Sequence, residues 1–187
     1  MTDPFSIFQI EPTFELDLDE LGKRHRDLSR ALHPDRYSGR PAAERRAALN
    51  RAIEVNEAFR RLRDPARRAE ALLARLGASL GEGTEPPASP EFLMTMMEHR
   101  ETLRELARSK DKAQLTALCG VVERERERVL SELGAGFAEA LGSRSESAPT
   151  DATRGEAGTA HLRALLGELR YFRRFFDEAE AVQDELG

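Results

Sequence analysis

Leu18-Asp19-Glu20-Leu21-Gly22-Lys23-Arg24-His25-Arg26-Asp27-Leu28-Ser29-Arg30-Ala31-Leu32-His33-Pro34-Asp35 is the stretch whose reading decides the fold. Leu18, Leu21, His25, Leu28 and Leu32 recur at alternating steps of three and four, which is one face of an amphipathic helix. Pro34 cannot continue that helix, and it biases His33 away from helical angles. Downstream, Ala48, Ala52, Val55, Phe59 and Leu62 repeat the same rhythm. The spacing therefore predicts two helices that share a hydrophobic face, joined by an exposed loop carrying His33, Pro34 and Asp35. With the apolar face buried, Lys23, Arg26 and Arg30 fall on the opposite side as a basic stripe leading to the loop. Most such stripes are solvated faces. Here the stripe ends at a small polar knob suited to contacting another protein.

Working outward, Asp3 and Pro4 supply a cap and a first helical position for a short helix over residues 4–9. The helix before the loop is expected over about 17–32, with Asp17, Asp19 and Glu20 at its positive end. The one after it is expected over about 41–62. Asp64-Pro65 repeats the cap-plus-proline signal, and Gly77 is a natural stop for the helix that follows. Residues 77–88 hold Gly81, Gly83, Pro86 and Pro87 without apolar rhythm and read as a linker. Beyond it, helices are expected over about 90–109, 111–133 and 159–186. The Gly-, Ser- and Ala-rich residues 134–158 read as a flexible loop. The architecture is thus all-α: a helical hairpin unit over 1–76, then a three-helix bundle over 89–187.

Composition narrows the function. Leu, Ala, Glu and Arg dominate, and no apolar run approaches membrane-spanning length. No secretory signal is visible at the N-terminus, and Cys119 is the single cysteine, which fits a reducing cytoplasm. Residues 1–76 carry 15 Lys/Arg against 13 Asp/Glu, while residues 77–187 carry 14 against 21. An acidic second half without aromatic interleaving argues against nucleic acid as the main partner. A His-Asp pair could orient a general base, but no nucleophile accompanies it and an exposed loop excludes no water. His25, His33, His99, His161 and Cys119 have no metal-ligand spacing. No catalytic residue, metal site or cofactor is therefore expected. His25 reads as a core or boundary histidine, and Cys119, among Leu115, Leu118, Val121 and Val122, as a small buried hydrophobe.

A second constellation lies at Phe92-Leu93-Met94-Thr95-Met96-Met97-Glu98-His99-Arg100-Glu101. One core stripe would run Phe92, Met96, His99, Leu103, Leu106. Leu93, Met94 and Met97 then fall on a neighbouring face, flanked by Glu98 and Glu101. Either the helix is buried on a wider arc, or these residues form an adaptable contact surface. Tyr171 has the same two readings: an amphipathic interface anchor, or a core aromatic beside Phe172, Phe175 and Phe176.

The run from Asp3-Pro4-Phe5-Ser6-Ile7-Phe8 through His33-Pro34-Asp35-Arg36-Tyr37 to Ile53-Glu54-Val55-Asn56-Glu57-Ala58-Phe59 resembles a J-domain, the module that activates ATP-driven chaperones of the DnaK/HscA class. Asp64-Pro65-Ala66-Arg67-Arg68-Ala69-Glu70-Ala71-Leu72-Leu73, the Phe92–Glu101 segment and Leu169-Arg170-Tyr171-Phe172 resemble the HscB-type co-chaperones. That resemblance implies a J-domain followed by a three-helix bundle, delivering the iron–sulfur scaffold IscU to HscA. Carried over by position, it implies His33, Pro34, Asp35, Lys23, Arg26 and Arg30 as the chaperone-docking set. It implies Leu93, Met94, Met97 and Tyr171 as the scaffold-binding patch, with Glu98, Arg100 and Glu101 as its polar rim. The alternative is a J-domain co-chaperone of a general DnaK-type chaperone with a different client. The loop at 134–158 looks long for the family, and Arg36 stands where Lys is common.

Overall fold

A computed structural model describes residues 2–78, 88–142 and 152–186, with side chains from residue 157 onward in the last segment. Among these residues the chain is helical without strands, so the fold is all-α as expected. It divides into two compact units, Met1–Arg75 and Leu76–Gly187.

In the first unit, α1 (Pro4–Phe8) is capped by Asp3, whose side chain accepts from the Phe5 amide at 3.3 Å. Asp17 caps α2 (Leu18–Ala31) by accepting from the Asp19 and Glu20 amides. A single 3₁₀ turn (Pro34–Tyr37) separates it from α3 (Ala42–Arg63). Asp64 accepts from the Arg67 amide at 3.0 Å and opens α4 (Pro65–Arg75). Gly77 follows at φ +76°, a conformation that a Cβ disfavours. The long α3 packs against α1, α2, α4 and the turn. Phe5, Leu21, Leu62, Leu72 and Leu73 are fully buried there, and each such side chain stabilises the unit by about 1.5–3 kcal/mol.

Two arginines tie this unit together. Arg24 donates through Nη1 to the carbonyl oxygens of Phe8 and Gln9, both at 2.9 Å, which holds the end of α1 to α2. The almost fully buried Arg68 donates to the Leu62 carbonyl at 2.9 Å and lies 5.0 Å from the Phe14 ring centre. Burial lowers its affinity for the proton, opposed by Glu15 and Asp64 nearby.

The second unit is a bundle of α5 (Pro90–Ser109), α6 (Lys112–Gly142) and α7 (Ala152–Leu186). Ser89 caps α5 by accepting from the Phe92 amide at 3.1 Å. Lys110, at φ 56°, ends α5, and Asp111 accepts from the Gln114 amide at 3.0 Å to start α6. Both α6 and α7 pack on α5 and on each other.

The structure departs from expectation in three places. The flexible loop expected over 134–158 is helical at 134–142 and 152–158, and only 143–151 lie outside the described residues. The reason is packing: Leu133, Gly134 and Phe137 are buried, and the small residues there let α6 approach α7. Of the linker at 77–88, residues 79–87 also lie outside the described residues. Leu18, expected on the apolar face of α2, is 47% exposed because it stands at the helix's first turn. Cys119 is half-buried rather than buried, beside an exposed Val121, because that part of α6 turns an edge to solvent. Partial burial still raises its thiol above the ordinary range.

Candidate functional site

The His-Pro-Asp loop is one turn of 3₁₀ helix capped by its own histidine. Pro34 takes the first helical position, where its missing N–H costs nothing. His33 Nδ1 accepts from the Asp35 amide at 3.3 Å. The same Nδ1 lies 3.5 Å from Asp35 Oδ2, so backbone and side chain of Asp35 both face the imidazole. The Arg36 amide donates to the His33 carbonyl at 3.0 Å, and Ser38 donates both its amide and its hydroxyl to the Asp35 carbonyl. The backbone is thus closed on itself, and the Asp35 side chain, with its Oδ2 toward His33 Nδ1, is 90% exposed.

Lys23, Arg26 and Arg30 are all exposed, on the side of α2 away from Leu21. Arg30 reaches Asp27 only at 3.4 Å, a loose surface pair of little energetic consequence. The side of α2 that meets α3 is fixed by His25. Its ring stacks on Phe59 at 4.1 Å and 15°, and its Nε2 lies 2.9 Å from Asn56 Oδ1, which fits the boundary reading.

On the second unit, Met96, Leu103 and Leu106 are buried as the core stripe of α5. Met94 and Met97 are 65% and 70% exposed, so the helix is not buried across that arc. Among the described residues, Met94, Met97, Glu98, Arg100, Glu101 and Arg104 line one depression of about 470 Å³. Leu93 and Tyr171 stand outside it, both half-buried. Tyr171 comes from α7 and meets Phe92 edge-on at 6.0 Å, one residue before Leu93. Phe172 and Phe175 beside it are the buried aromatics.

Arg100 differs from a free rim residue, because its Nη2 donates to Glu178 of α7 at 2.7 Å. His99, mostly buried, holds Glu125 of α6 at 3.1 Å and meets the edge of Phe175. These two neighbours therefore clamp α5 onto α6 and α7 while the methionines stay open. Sequence reasoning missed Arg104, which its spacing from Arg100 and Glu101 could have shown. It also missed Glu178, 78 residues from its partner, for which no local signal exists. On α3 it missed the exposed Leu49 and Ile53.

No group of three or more His, Cys, Asp or Glu side chains among the described residues is placed to hold a metal. No described helix is long and apolar enough to cross a membrane.

Residues 88–180 match the family described as the HSCB C-terminal oligomerisation domain. A relative from Neisseria meningitidis serogroup B, named co-chaperone protein HscB homolog, is 34% identical over 138 residues, covering 74% of this chain and 83% of that protein. The namesake from Shewanella halifaxensis is 28% identical over 183 residues, 97% of each chain. Among solved structures, the chaperone HscB from Vibrio cholerae superposes with a TM-score of 0.80 at 27% identity, over 100% of both chains. The human co-chaperone HscB gives 0.79 at 22% identity, over 98% of this chain and 83% of that one, a likeness of fold.

Proposed function

The chain belongs to the HscB family of co-chaperones, and from that premise we propose that it stimulates the ATPase of an HscA/DnaK-class chaperone and delivers an IscU-type iron–sulfur scaffold to it. The first unit is the J-domain and docks on the chaperone; the second holds the scaffold. The observation that carries this reading is one exposed contact surface on each unit, of different chemistry. One is a basic stripe ending at an exposed carboxylate. The other is an open methionine pair with a charged rim.

The chain's own part is binding and orientation, without bond chemistry. Lys23, Arg26 and Arg30 draw an acidic chaperone face toward α2. Asp35, held out by the His33-capped turn, meets a donor that only the hydrolysis-competent conformation presents. A ligand shifts a conformational equilibrium only by binding one state better than the other. On the second unit, Met94, Met97 and Leu93 adapt to an apolar scaffold surface beside Tyr171. Glu98, Glu101 and Arg104 set its register.

The test is calorimetric titration with a purified IscU-type scaffold, comparing wild type with Leu93→Ala/Met97→Ala/Tyr171→Ala. Binding lost in the triple variant with helicity intact supports the reading. No binding by the wild type overturns scaffold delivery.

A further inference from the structure

The mean surface tolerates single exposed leucines, but α3 exposes two large aliphatic side chains one turn apart. Leu49 is 56% and Ile53 58% exposed. Together with Asn56 and Arg60, both exposed, they follow the helical spacing of a single face.

The position of that face follows from His25. Its contacts with Phe59 and Asn56 fix where α2 and α3 lie side by side. The helices run antiparallel and rise equally per residue. Seven residues before Asn56 is Leu49, and seven after His25 is Leu32, so Leu49 stands level with Leu32 and the start of the His-Pro-Asp turn. By the same count Ile53 stands level with Leu28 and Ser29. The side is fixed as well. His25 Nε2 faces both Asn56 of α3 and Ser29 of α2, the latter at 3.4 Å. Turning on around α2 from Ser29 leads to Arg26 and Arg30; turning on around α3 from Asn56 leads to Leu49 and Ile53. Both therefore flank the same open seam. The other side of α2 is taken by α1, to which Arg24 is bonded. Ile53 also edges a depression of about 220 Å³ on the α1 side of α3, away from the seam, lined by Pro4, Ile7, Glu54, Glu57, Ala58 and Arg61.

We propose that Leu49 and Ile53 form an apolar wing of the chaperone-docking surface, so that the chaperone face it meets carries a nonpolar segment beside its acidic groups. The inference rests on the docking reading given above. It is carried by the continuity of the pair with the basic stripe and with the turn: Arg26 and Arg30 border it across the seam, while Asn56, Glu57 and Arg60 continue its face along α3.

The test uses the full chain and a purified HscA-class chaperone with ATP, reading ATPase stimulation against co-chaperone concentration. Leu49→Ser/Ile53→Ser raises the half-saturating concentration about tenfold or more and keeps the maximal stimulation. The ratio to wild type persists from about 0.1 to about 1 M salt, as an apolar contact requires, while the absolute affinity of both falls with screening of the stripe. Leu49→Met/Ile53→Val stays at the wild-type value. Asp35→Asn, run in parallel, abolishes stimulation. If Asp35→Asn abolishes it and Leu49→Ser/Ile53→Ser shifts nothing, the wing is wrong and the docking reading stands. If Asp35→Asn leaves stimulation intact, the docking reading fails and takes the wing with it. Sedimentation covers the remaining occupant: a wild-type dimer that the serine variant splits, at unchanged half-saturation, assigns the pair to a second copy and overturns the proposal.

Discussion

Gly136 of α6 faces Leu162 of α7 so closely that a Cβ on the glycine would stand 2.8 Å from Leu162 Cδ2. Leu162 is 1% exposed and has nowhere to swing. Gly136→Ala therefore lowers stability by about 1–3 kcal/mol through overpacking. It does so although alanine favours helix over glycine by about 1 kcal/mol. Thermal unfolding followed by circular dichroism checks this; a raised midpoint would show that α7 yields freely.

Asp35→Asn separates function from fold. The carboxylate is 90% exposed and its backbone is held by other groups, so stability changes by less than about 0.5 kcal/mol. Chaperone ATPase stimulation falls by more than about tenfold, the scale on which a charged interface contact acts. A single-turnover ATPase assay beside a melting curve reads both.

Met94→Ser/Met97→Ser removes exposed apolar surface without opening a core cavity. Scaffold affinity falls about 10- to 100-fold while the melting midpoint holds. Titration with a purified IscU-type scaffold decides it. A midpoint that drops with the affinity would place the two methionines in the core.

Glu168 gives the unit a pH signature. Burial is the main reason its carboxyl sits above the ordinary range; Glu132 raises it further and Arg128 opposes. A carboxyl whose affinity for the proton is higher in the folded than in the unfolded chain contributes stability below the ordinary carboxylate range. That contribution is lost as pH rises through the folded value. Glu168→Gln therefore raises the melting midpoint at neutral pH, and the gain shrinks to nothing in acid below the ordinary glutamate range. Melting curves across that window test the sign. A gain that grew toward acid would mean that Arg128 dominates.

What the sequence reveals here follows the range of the interactions. The caps at Asp3, Asp17, Asp64 and Ser89 act on amides two or three residues away, so their chemistry is visible in a short string. The off-stripe position of Met94 and Met97 follows from helical periodicity in the same way. Arg24, Arg68 and Arg100 look like any other charged side chains in the string, because their partners are set by tertiary packing. The acceptor of Arg100 lies 78 residues away. Residues 134–142 mislead for a related reason. Gly134, Gly136 and their alanine neighbours have the composition of a loop, yet they are small because another helix lies against them. Leu49 and Ile53 escape the periodicity argument from the opposite direction, since it looks for faces that are covered.

The turn capped by His33 also bears on how fast a partner is caught. Its backbone hydrogen bonds are already made among His33, Asp35, Arg36 and Ser38. An encounter there freezes little main chain, so the entropic cost of association falls on side chains alone. Collisions then succeed in proportion to how well charge has oriented them. The imidazole, which the resemblance counts among the docking groups, is in this chain also the cap that holds the turn's main chain in place.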